Sequence, residues 1–144
     1  HALSLHAPDK NDPIDVLSKV GGFDLCAMTG VFLGAAIEHV PVVVDGFISI
    51  VAALCASRLA SHAKAYFIGS HRSFEIGYRL AEQELGLHPC LELGMRLGEG
   101  SGCPIAFRVV EAACAVMCTM ATFPEAAIDD EYLTDIRAKD SFTV

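Results

Sequence analysis

A single glutamate, Glu99, stands inside the run Leu97-Gly-Glu-Gly-Ser-Gly102, with a further glycine at 94 and a helix-patterned segment directly after the loop. Glycine-rich loops at a helix start let backbone amides converge on a ligand and usually cradle phosphate. A fixed carboxylate in such a loop repels phosphate unless it faces a proton or a positive charge. That conflict makes Glu99 the first candidate for chemistry. The plainer alternative is an ordinary strand-to-helix turn, in which Glu99 stabilises the helix N-terminus as a first-turn acid. A lone glycine motif does not choose between the two.

The elements that must position this loop follow from apolar patterning. Asp12-Pro13 supplies an N-cap and a first-turn proline, so a helix is expected from there to Val20, stopped by Gly21-Gly22. A second helix is expected over Phe23 to Glu38. Its small residues Ala27, Thr29, Gly30, Gly34, Ala35 and Ala36 imply close backbone approach to a neighbour. Pro41 to Asp45 reads as a strand buried on both faces, and Phe47 to Leu59 as a helix covering a parallel sheet. Ala65 to Gly69 is a second strand, Ser70 to Ser73 a turn, and Phe74 to Leu85 a helix that Ser73 could cap. Leu87 to Leu93 is expected as a third strand, weakened at its start by Pro89, and Pro104 to about Thr122 as the last helix. His1 to Asn11 carries no period, and no internal repeat is present.

The fold class expected is therefore α/β, a Rossmann-like parallel sheet with flanking helices, built here from three βα units and part of a larger sheet. In such a sheet the strand C-terminal ends share one edge, where ligands bind. Asp45, the Ser70–Ser73 turn and the Leu97–Gly102 loop all fall on that edge, so three polar segments distant in sequence should converge there.

Composition sets the frame. The chain has 144 residues, 53% apolar and 19% charged, enough for one core and too apolar for disorder. A formal net charge of −8 with scattered Lys and Arg argues against a nucleic-acid partner. Charged residues break every apolar run short of the about 20 residues a membrane helix needs, so no membrane partner is expected. The six cysteines show no C-x-x-C pair and read as buried thiols of a reducing cytoplasm rather than metal ligands. The first residue is His1, and the chain reads as a fragment.

Four ordered blocks then carry a resemblance: Val-Gly-Gly-Phe-Asp-Leu at 20–25, Pro-Val-Val-Val-Asp-Gly-Phe-Ile at 41–48, Ser-His-Arg-Ser at 70–73 and Arg-Leu-Gly-Glu-Gly-Ser-Gly at 96–102. Met120-Ala-Thr-Phe123 also fits. Over residues 5–126 the chain resembles the C-terminal half of the nicotinate-nucleotide:dimethylbenzimidazole phosphoribosyltransferase family. The resemblance implies transfer of phosphoribosyl from nicotinate mononucleotide to a benzimidazole-type base, with no cofactor. Residues 1–126 would then belong to the phosphoribosyltransferase domain and residues 127–144 form an acidic tail.

By the same resemblance Glu99 matches the catalytic base. Leu97 would pack on the acceptor ring, and Gly98 and Gly100 would let a flat base approach the backbone. Ser73 matches a serine near the nucleotide phosphate, at a helix N-terminus that favours an anion. Asp45 could accept a ribose hydroxyl or equally cap the turn before Phe47. His71 reads as a structural hydrogen-bonding residue close to that phosphate, and Arg96 as the partner of a nearby acid. Family members carry a phosphate-binding segment and part of the base pocket N-terminal to everything here. Self-association, or pairing with an N-terminal half, is therefore expected. The alternative is a non-catalytic α/β nucleotide-binding or assembly module.

Overall fold

The computed structural model describes residues 1–129 and Thr134, so most of the expected acidic tail lies outside the described residues. The helices are α1 (Ala2–His6), α2 (Pro13–Val20), α3 (Phe23–Ile37), α4 (Phe47–Leu59), α5 (Ile76–Leu85) and α6 (Cys103–Thr119). The strands are β1 (Val42–Val44) and β2 (Phe67–Gly69), and a 3-10 helix, Ser61–Tyr66, leads into β2. By its internal contacts the chain divides into two units, residues 1–108 and residues 109–144.

Local chemistry accounts for most boundaries in the first unit. The Asp12 carboxylate accepts from the Ile14 and Asp15 amides at the start of α2, with Pro13 behind it. Gly46 precedes α4, and Gly86, at φ +64°, ends α5 in the left-handed turn that glycine tolerates. Helix α1 lies in the stretch where the sequence carries no period. It is one short turn closed by Ala7 in a left-handed conformation, and it carries no capping side chain or apolar period that would announce it.

β1 and β2 pair in parallel, Val42 opposite Phe67 and Val44 opposite Gly69, with α4 as the crossover. The expected third strand is reduced to a single parallel bridge between His71 and Leu91. Proline at 89 has no N–H to give, so pairing begins only where Cys90 donates to Gly69 (3.2 Å) and Leu91 to Ser70 (3.1 Å). Pro89 also lies on Gly69 so closely that a β-carbon there would come within 2.9 Å of its Cα.

The core forms where α3, α4, α5 and the two strands meet, around Phe32, Val44, Ile50, Ala53, Phe67, Tyr78 and Leu85. Phe32 meets Phe67 edge to face, with ring centroids 5.0 Å apart. The expected close approach along α3 is only partly realised. Thr29 is buried and its hydroxyl donates to Leu25 and Ala52 carbonyls, but a β-carbon added at Gly30 or Gly34 would meet nothing within 4 Å. The cysteines also depart from expectation: Cys26, Cys90, Cys114 and Cys118 are exposed, and Cys55 and Cys103 half-buried. Large apolar residues are bare as well, Phe23 at 97% exposure and Ile76 at 89%. The cysteines read as buried because they lie in apolar segments, but the described residues do not cover four of them, nor Phe23 and Ile76.

In the second unit the residues after α6 turn at Thr122, whose N–H and hydroxyl both donate to the Glu125 carboxylate at 2.8 Å. Those bonds hold the Glu125 carboxyl below its ordinary range. No described helix is long and apolar enough to cross a membrane.

Candidate active site

β1 delivers Asp45 to the sheet's C-terminal edge, directly after the fully buried Val44. There its carboxylate turns toward the glycine loop. Oδ2 accepts from the Gly100 amide at 2.9 Å and Oδ1 from the Gly102 amide at 2.8 Å. Behind it lies His71, wholly buried, with Nδ1 3.5 Å from Asp45 Oδ1 and 3.1 Å from Ser70 Oγ. Gly102 closes the cluster. A β-carbon on it would fall 2.7 Å from Asp45 Oδ1, 2.8 Å from Ser70 Oγ and closer still to His71 Nδ1. The three segments expected to converge therefore do meet, through Asp45, Ser70, His71 and the loop amides.

The loop itself is left-handed at three successive residues, Gly98 (φ +71°), Glu99 (φ +54°) and Gly100 (φ +75°). Two of them are glycines, which adopt this geometry freely, whereas Glu99 is held there against its preference. The expectation that Glu99 opens the next helix as a first-turn acid does not match this geometry, because α6 begins four residues later, at Cys103.

Glu99, Leu97, Gly98, Gly100 and Asp45 line one cleft of about 540 Å³. Phe47, Ile48 and Met28 complete its apolar wall, with Asp24 and Glu75 adding carboxylates that patterning had not singled out. Among the described residues no lysine or arginine lines it, so Asp24, Glu75 and Glu99 border a space without a lysine or arginine, while the Asp45 carboxylate is taken up by the loop amides. Such a cleft favours a ligand, or part of one, that carries positive charge or a proton to lose. A larger concavity of about 620 Å³ lies between the 3-10 helix and Leu87–Cys90, but it contains no carboxylate and none of the loop residues.

Two of the expected site residues stand apart from that cleft. His71 is sealed behind Asp45, and Ser73 opens onto a separate hollow of about 390 Å³ shared with Arg72, Arg79 and Glu75. Ser73 does not cap α5, whose N-cap position is Glu75. Its hydroxyl instead donates to the Glu75 carboxylate, which this bond holds below its ordinary range. Glu75 borders both hollows, and the Ser-x-Glu spacing was the sequence signal for it. Arg72 ties the turn to α5 by a two-pronged bond to the buried Glu82 (3.0 and 2.6 Å). Arg96, expected to pair with an acid, lies 5.0 Å over the Phe74 ring instead.

A family model described as a phosphoribosyltransferase matches residues 1–128. Nicotinate-nucleotide–dimethylbenzimidazole phosphoribosyltransferase of Clostridium perfringens (strain ATCC 13124) is 58% identical over 139 residues, 96% of this chain. The chain belongs to the nicotinate-nucleotide–dimethylbenzimidazole phosphoribosyltransferase family. A second member, from Roseiflexus sp. (strain RS-1), is 51% identical over 88% of the chain. The crystal structure of the same-named phosphoribosyltransferase from Thermus thermophilus superposes with a TM-score of 0.78 at 36% identity, over 82% of this chain. The chain spans only 38% of the length of the Clostridium phosphoribosyltransferase and 36% of the Thermus one.

Proposed function

We propose that this chain supplies the base-bearing part of an enzyme that moves phosphoribosyl from nicotinate mononucleotide to 5,6-dimethylbenzimidazole or a related lower-ligand base. The products are α-ribazole 5′-phosphate and nicotinate, used in assembling the cobalamin nucleotide loop. The observation that carries this reading is Glu99, presented at the rim of the cleft by a loop whose amides Asp45 holds.

The acceptor attacks the anomeric carbon through one ring nitrogen while the bond from that carbon to the pyridinium nitrogen breaks. The bonding pair returns to the pyridine ring, which leaves as nicotinate and needs no acid. The attacking azole is left cationic and must lose the proton on its other nitrogen, and Glu99 takes it. Leu97 and Phe47 offer apolar surface to the flat ring. A cleft bordered by Asp24, Glu75 and Glu99, with no lysine or arginine among the described residues that line it, suits both the pyridinium before reaction and the azolium during it. No cofactor is called for.

Ser73 is assigned to the neighbourhood of the nucleotide phosphate. Glu75 and Glu92 both line that hollow and Arg72 is already paired with Glu82 and Glu92, so a phosphate there relies on Arg79, which lines the same hollow, to offset the negative charge. We assign residues 1–126 to the phosphoribosyltransferase domain and the enzyme to the cytoplasm. The bare apolar side chains of α3 and the start of α5 support assembly with further protein, as a homo-oligomer or with the segments of its relatives that this chain does not span.

The test is product analysis. The longest natural chain containing this sequence, given nicotinate mononucleotide and dimethylbenzimidazole, should yield α-ribazole 5′-phosphate and nicotinate by mass spectrometry. Its Glu99→Gln variant should bind the nucleotide and yield little of either product. Full turnover by that variant would place the base at another residue, and binding of the nucleotide without any product from the unmutated chain would leave the non-catalytic binding module as the better reading.

A further inference from the structure

We propose that Asp45, backed by His71, is a positioning residue that sets the backbone of the Glu99 loop, rather than a ligand for the substrate ribose. The inference rests on Glu99 as the base and adds how Glu99 is kept in place. Both carboxylate oxygens of Asp45 are committed to the loop, one to each of two amides that lie two residues apart, at 2.9 and 2.8 Å. Only a carboxylate offers two acceptors in one rigid fork. An amide side chain would turn an N–H toward one of those N–H groups.

The loop has reason to need this restraint. Glu99 is the non-glycine member of a left-handed run, and the Asp45 bonds fall immediately after it, at Gly100 and Gly102. Asp45 is 7% exposed, so water competes poorly for those bonds. His71 points to the same conclusion. Its Nδ1 is hydrogen-bonded to Ser70 Oγ at 3.1 Å and lies 3.5 Å from Asp45 Oδ1, so a proton on Nδ1 would face both, while Nε2 is buried without a hydrogen-bond partner among the described residues. A buried imidazole with one idle nitrogen is unfavourable on its own account, and its working side is the one that fixes the Asp45 carboxylate. Gly102 leaves the cluster no slack.

The experiment uses the longest natural chain containing this sequence. Asp45→Asn should lower kcat by about 10²-fold, as expected when a reacting group is misplaced by around 1 Å, and leave KM for nicotinate mononucleotide within about twofold. Amide exchange at Gly100 and Gly102, followed by NMR, should accelerate in the same variant. His71→Leu should show both effects in weaker form, and His71→Asn, which keeps an N–H near the Nδ1 position, should recover most of what His71→Leu loses. If Asp45→Asn does not fold, the two His71 variants are read by the same measurements. A raised KM with kcat preserved would make Asp45 a substrate ligand, and unchanged exchange at both glycines would overturn the restraint itself. Because exchange is measured without turnover, it judges the restraint even if Glu99→Gln were to prove active and the base lay elsewhere.

Discussion

Gly102 packs against His71 with no room for a β-carbon between its Cα and Nδ1, and the same position is crowded by Asp45 and Ser70. Gly102→Ala must therefore move either the imidazole or the loop. It should destabilise the protein by about 1–3 kcal/mol, the usual range for overpacking a filled site. Gly30→Ala is the matched control: its β-carbon meets nothing within 4 Å and α3 should gain about 0.5–1 kcal/mol. Urea denaturation midpoints that rank the two the other way would contradict this packing.

For Glu99, turnover in Glu99→Gln should fall by roughly 10²- to 10⁴-fold, the usual contribution of a general base. A base must be ionised to act, so the wild-type rate should fall as acid protonates it, and this acid limb should be missing in the variant. A pH–rate profile with the same acid limb in both would put the base at another residue.

Tyr78 offers a prediction about alkaline pH. It is fully buried, and its hydroxyl has no hydrogen-bond partner among the described residues. Burial, with Glu82 and Asp45 adding negative charge nearby, pushes its phenol well above the ordinary value. Unfolding returns the phenol to a value of about 10. Above about pH 10 the unfolded chain therefore sheds a proton that the folded chain keeps, and stability falls as pH rises. Tyr78→Phe should be neutral or gain up to about 1 kcal/mol at neutral pH and lose less stability between about pH 8 and pH 10.5. Parallel urea midpoints for the two proteins at both pH values would check it.

Residues 1–144 alone should bind nicotinate mononucleotide weakly, turn over nothing measurable and self-associate. The motivation is the exposure of Phe23 and Ile76, the two-stranded sheet, and a span of 38% of the Clostridium relative. Sedimentation showing a stable monomer, together with transfer activity, would mean that a complete site is built from this chain.

What could be read from sequence was what depends on neighbours in the chain. α4 falls on its expected bounds because an apolar run follows Gly46 directly and ends at Arg58-Leu59, and α2 because Asp12 and Pro13 act locally. The third strand failed for the opposite reason, since pairing was decided by what Pro89 could not donate to Gly69, a residue twenty positions away. At the site, the meeting of β1, the 70–73 turn and the glycine loop followed from parallel topology. The work of the Asp45 side chain did not: its two bonds reach 55 and 57 residues along the chain, and a local reading could offer only a turn cap or a ribose.

The left-handed backbone at Glu99 has a consequence for how this position can change. Glycine would occupy φ +54° with less strain, so the loop is easier to hold without the very side chain assigned to the chemistry. Selection for heat resistance and selection for turnover thus pull this one codon in opposite directions. A library sorted only for surviving high temperature would be drawn toward glycine at 99, and one sorted for product would be drawn back to glutamate.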